Sequence, residues 1–73
     1  MTVEKLKRVM WRLRNRLKAR TTCTSVELEV CILYEIGTDH RTIRNAVGAL
    51  INLGWVELLE AGGFKVTNKD ITG

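Results

Sequence analysis

The sequence predicts a small α+β domain that is mostly α. Two apolar stripes at helical spacing, one in the first twenty residues and one over residues 43 to 53, supply the helices. Two short apolar arms around a glycine pair near the C-terminus supply the β part. Seventy-three residues make one domain, near the lower limit for a chain that folds without staples. Hydrophobic residues are 45% of the chain, enough for one compact core. With a core this small, dimerisation is an expected source of extra buried area.

Val3, Leu6, Met10, Leu13 and Leu17 follow one another at spacings of three and four, with Val9 beside them. They predict a helix from about Val3 to Ala19, within a basic N-terminal region 1–20, ending near TTCTS. The opposite face carries Lys7, Arg8, Arg12, Arg14 and Lys18, with Trp11 among them. A large aromatic there is costly to leave in water. It is expected to meet another element, a dimer partner or a nucleic-acid base.

Charge is divided unevenly. Residues 1–20 hold eight Lys or Arg against Glu4 alone, a net of +7. The rest of the chain holds four basic and seven acidic residues, a net of −3, so the total is +4. A basic arm on a mildly acidic body points to a polyanionic partner.

Residues 26–36, VELEVCILYEI, read two ways. Val26, Leu28, Val30, Ile32, Tyr34 and Ile36 alternate as in a half-buried strand. Thr24 followed by Glu27 makes a capping box, and Gly37 is placed as a helix C-cap, so the ends read as a helix over 24–37. Next, Thr38 or Asp39 can cap a further helix over 38–53. Ile43, Ala46, Val47, Leu50 and Leu53 share its inner face; Arg41, Arg44, Asn45, Gly48 and Asn52 share the outer one. Gly54 stops it. WVELLE, the AGG turn and FKVTN then form a β-hairpin over 55–68.

Several classes are disfavoured. The apolar runs are too short to span a bilayer, and the N-terminus lacks the continuous apolar block of a secretory signal, so a cytoplasmic protein is expected. Cys23 and Cys31 lack zinc-site spacing and histidine company, and are expected to be reduced and buried, with a disulfide as the alternative. With one histidine, no Gly-rich phosphate loop and no carboxylate cluster, neither an enzyme nor a cofactor is expected.

The segment TDHRTIRNAVGALINLGWVELLEAGGFKVT resembles the recognition helix and wing of winged helix-turn-helix domains. The matching residues are Arg41, Thr42, Ile43, Arg44, Ala46, Leu50, Leu53, Gly54, Trp55, Val56, Gly62 and Gly63, and the likeness covers about two thirds of the chain, from Ser25 onward. In size and layout the chain is similar to the small stand-alone regulators of archaea, viruses and plasmids. The resemblance implies three helices plus a two- or three-stranded β-wing, and so favours helix for residues 26–36.

It also implies a transcriptional regulator that binds double-stranded DNA, with the helix 38–53 in the major groove. Carried over by position, Thr38, His40, Arg41, Thr42, Arg44 and Asn45 face the DNA. Gly48 leaves a bare spot where a phosphate backbone or partner helix can come close. Arg suits the O6/N7 edge of guanine and Asn the N6/N7 edge of adenine. Gly62, Gly63, Lys65 and Lys69 are the wing candidates, and Arg12, Arg14, Arg16 and Lys18 of the first helix are candidates for phosphate. A homodimer is expected, with Val3, Leu6, Met10, Trp11 and Ile51 as candidate contacts. Asp39 beside the reading helix, and Glu57 and Glu60 in the wing, depart from a strongly basic surface. They favour the alternative, a winged-helix module that binds protein and reads no nucleic acid. Lipid-surface binding is disfavoured because the first helix's apolar stripe would have to leave the core.

Overall fold

In the computed structural model, which describes residues 2–69, the chain runs α1 (Val3–Leu17), β1 (Thr22–Cys23), α2 (Ser25–Glu35), α3 (His40–Asn52), β2 (Val56–Leu58) and β3 (Phe64–Val66). It is α+β, mostly helical, and its order of elements is compatible with a winged-helix layout. No helix among the described residues is long and apolar enough to cross a membrane.

Thr2 starts α1 by accepting the Lys5 N–H on its hydroxyl at 3.3 Å. The helix ends at Lys18, which turns to φ 57° while its N–H still reaches the Arg14 carbonyl at 2.9 Å. Val9, Met10 and Leu13 are fully buried and Leu6 and Leu17 nearly so. The stripe therefore closes this chain's own core. Leu6 and Met10, expected also as dimer contacts, are out of a partner's reach and are corrected to core residues.

The end signals prevail over the alternation at residues 26–36, which are helical up to Glu35. Thr24 Oγ1 accepts the Glu27 N–H at 3.1 Å, and the Thr24 N–H donates to Glu27 Oε1 at 3.0 Å. Both donors would otherwise be unpaired in the first turn. Leu28, Cys31 and Ile32 turn inward. The expected glycine cap does not form: Ile36 and Gly37 both donate to the Ile32 carbonyl, at 2.8 and 3.3 Å, and Gly37 keeps a negative φ.

The third helix begins at His40, later than expected, because Asp39 takes the capping position and accepts the Arg41 N–H at 3.3 Å. Thr38 stays outside the helix. Its inner face buries Ala46 and Leu50, with Ile43, Val47 and Leu53 packed against the core.

The sheet is antiparallel in the order β1–β3–β2, with Cys23 opposite Phe64 and Val56 opposite Val66. The strand β1 lies in the polar stretch that sequence patterning leaves as a connection, and it makes the sheet three-stranded. Gly63 permits this pairing. At φ 82° it sits so near β1 that a Cβ would stand 2.6 Å from the Cys23 carbonyl oxygen.

Every element contributes to one apolar core, and no polar side chain is buried among the described residues. Cys23 and Cys31 are free thiols within it. Burial pushes Cys23 up to about 11 and Cys31 in the same direction, so both stay uncharged at neutral pH. Between α1 and α2, Arg12 meets Glu35 at 3.1 Å and Arg20 meets Glu27 at 2.9 Å, with Arg16 at 4.0 Å from Glu27. Exposed pairs of this kind contribute about 0–1 kcal/mol each, whereas full burial of one leucine is worth about 1.5–3. The core holds the helices together; the ion pairs lie along their exposed seam.

Candidate functional site

The outer face of α3 is built by one local rule. With inward positions fixed by Ala46 and Leu50, a rotation of about 100° per residue turns Arg41, Arg44, Asn45, Gly48 and Asn52 outward. Arg41, Arg44, Asn45 and Asn52 are exposed, His40 is exposed at the first turn, and Thr42 is half-buried at the edge. A Cβ on Gly48 would meet nothing within 4 Å, so the surface there is open. Among the described residues, neither Arg41 nor Arg44 makes an ion pair or a side-chain hydrogen bond.

The arginines of α1 differ in kind. Arg12 and Arg16 face Glu35 and Glu27, and Arg12 also stands over the Tyr34 ring, 5.0 Å from its centroid. Arg14 Nη2 donates to the carbonyls of Thr67 and Lys69, both at 3.1 Å. Of the four first-helix candidates for phosphate, these three already have intramolecular work. Lys18 is exposed, with no side-chain partner among the described residues.

Lys69 is also engaged. Its ammonium donates to the Leu53 carbonyl at 2.7 Å, placing a cation at the negative C-terminal end of α3. Thr67 Oγ1 donates to the Gly54 carbonyl at 2.6 Å. The segment after β3 is thus clipped to α3 on one side and to α1, through Arg14, on the other. Lys69 and Arg14 hold the wing in place.

The wing tip carries Gly62 and Gly63, both at positive φ, and Gly62 stands in open space. Lys65 is exposed on β3, opposite Glu57 of β2 and Thr22 of β1 in register. Its charge is therefore offset across the strand. Val3, Trp11 and Ile51 are exposed, at 53%, 47% and 37%, and remain open to a partner.

One feature escapes sequence inspection. Ser25 and Glu29 of α2, His40, Ile43, Arg44 and Val47 of α3, and Phe64 of β3 line an open groove of about 300 Å³. Arg44 therefore has the apolar flanks of Ile43 and Val47 beside it and the N-terminal turn of α2 across from it. No local pattern marks Ser25 for this place, because the groove exists only once α2, α3 and β3 have met.

Chemically, the outer face of α3 offers two guanidinium forks unpaired among the described residues, two carboxamides and a bare glycine, beside a mixed cleft that also carries the Glu29 carboxylate. Such a set can pair with planar acceptor edges and anionic oxygens. Comparison with protein-family models, curated proteins and solved structures returns no match to this chain.

Proposed function

We propose that this chain is a winged helix-turn-helix protein that binds double-stranded DNA and acts as a transcriptional regulator, with α3 seated in the major groove. The observation that carries this is the contrast between arginines. Those of α1 are largely engaged within the molecule, while Arg41 and Arg44 project from α3 unpaired among the described residues, beside Asn45, Asn52 and the open spot at Gly48. At 1.5 Å per residue α3 is about 20 Å long, and a groove roughly 12 Å wide admits it. Arg41 and Arg44 then serve guanine edges or phosphates and Asn45 an adenine edge. His40 and Ser25, at helix N-termini, lie where backbone N–H groups favour a phosphate. Lys65 and Lys18 add contacts at the margins, and the wing tip at Gly62 approaches the neighbouring backbone.

Fluorescence anisotropy with random-sequence duplex DNA across a salt series tests this. Binding is expected at low salt, and Arg41→Ala and Arg44→Ala are each expected to weaken it. Loss of a phosphate contact flattens the dependence on salt; loss of a base contact costs about 1–3 kcal/mol on a selected site. Binding untouched by both substitutions removes the groove assignment. No binding at low salt transfers the case to a protein-binding module.

A further inference from the structure

Seven large apolar side chains stand exposed among the described residues, and five of them, Val3, Trp11, Val26, Leu33 and Tyr34, are on α1 and α2. Val26, Val30 and Leu33 follow one another at i, i+4 and i+7 on the side of α2 opposite Leu28, Cys31 and Ile32. The helix is thus apolar both toward the core and away from it. A helix apolar on both sides belongs between two layers, yet the described residues supply only one.

The neighbouring surface of α1 continues the patch. The two helices run antiparallel, with Arg12 facing Glu35 and Arg16 facing Glu27, which sets Trp11 near the level of Tyr34. Arg12 shares a groove with Trp11, Arg8, Asn15 and Glu35, and its guanidinium lies over the Tyr34 ring. Trp11 points away from the α1 stripe, at 47% exposure, and Tyr34 is 72% exposed. The patch is therefore one surface, basic and aromatic along α1 and apolar along α2.

We propose that a second copy of this chain docks here, α1 of each protomer lying over α2 of the other about a two-fold axis parallel to the helices. That operation lays Trp11 on the partner's Tyr34 and repeats the contact in reverse, as an isologous interface requires. The area suffices. Trp11 and Tyr34 leave on the order of 250 Å² of aromatic surface in water. Val26, Val30 and Leu33 add roughly 200 Å². The total is about the apolar share of the 800 Å² that each partner gives to a standard interface. The outer face of α3 stays uncovered, so one dimer presents two of them.

Sedimentation equilibrium of the full chain without DNA tests this. The expected mass is twice 8.3 kDa. Val26→Glu and Trp11→Ala are each expected to return it to the monomer mass with an unchanged far-ultraviolet spectrum, since neither side chain is in the core. A monomer at millimolar loading overturns the proposal. So does a dimer that persists in both variants, or one that only Ile51→Glu or Leu58→Glu dissolves. No DNA is present, so failure here leaves the proposed DNA contact standing, and failure of that contact leaves the dimer standing.

Discussion

Replacing Gly48 with alanine separates what α3 owes to folding from what it owes to a partner. Gly48 lies inside a 13-residue helix and a Cβ there would meet nothing within 4 Å. The substitution thus brings no clash, and its helical φ is one that alanine prefers. Glycine costs a helix interior about 0.8–1 kcal/mol relative to alanine, so Gly48→Ala is expected to stabilise the domain by that amount. In a domain of this size the gain corresponds to a rise in Tm of about 4–8 °C, read from the far-ultraviolet dichroism of a thermal scan. The same variant is expected to bind duplex DNA more weakly, because the added methyl stands where a backbone approaches. A loss of stability would falsify the placement of this position in open space. A gain in stability with unchanged affinity makes the glycine incidental and moves the closest approach elsewhere on α3.

At the wing tip, Gly63→Ala is expected to destabilise the domain by about 2–4 kcal/mol. Positive φ costs about 1–2 of this, and the clash with the Cys23 carbonyl adds the rest. Gly62→Ala, with the same kind of φ but open space, is expected to cost only the first part; equal losses in urea titrations of the two variants defeat the argument. For Glu27, the Thr24 N–H first, and then Arg20 and Arg16, hold the carboxylate below its ordinary value of 4.5. The unfolded chain therefore binds the proton more readily, and the stability this carboxylate supplies is present above pH 4.5 and lost as the pH falls below it. Wild type should lose its advantage over Glu27→Gln across that acid range in urea titrations, and parallel curves for the two proteins would contradict it.

Much of the local structure was legible in the residues themselves. The stripe from Leu6 to Leu17, the Thr24–Glu27 box, the Asp39 cap and the turn at Gly62 and Gly63 each depend on residues within one or two turns of chain. Sequence spacing therefore determines them directly. The outward set on α3 follows from the same spacing, once Ala46 and Leu50 face inward.

What spacing could not supply was the occupation of charges and edges. Arg14 counts as a free cation until the carbonyls of Thr67 and Lys69, more than fifty residues away, come within 3.1 Å. Lys69 looks like a wing contact until the C-terminal end of α3 offers it the Leu53 carbonyl. Thr22 and Cys23 have no strand signature of their own and extend only because β3 presents an edge to them. Leu6 and Met10 suit a dimer seam as well as a core, and only packing decided for the core. Sequence by itself determined α1, α3, the N-terminal caps at Thr24 and Asp39 and the composition of each face. Tertiary structure alone decided which faces remain free, because a side chain's partners are set by distances in space that no local spacing encodes.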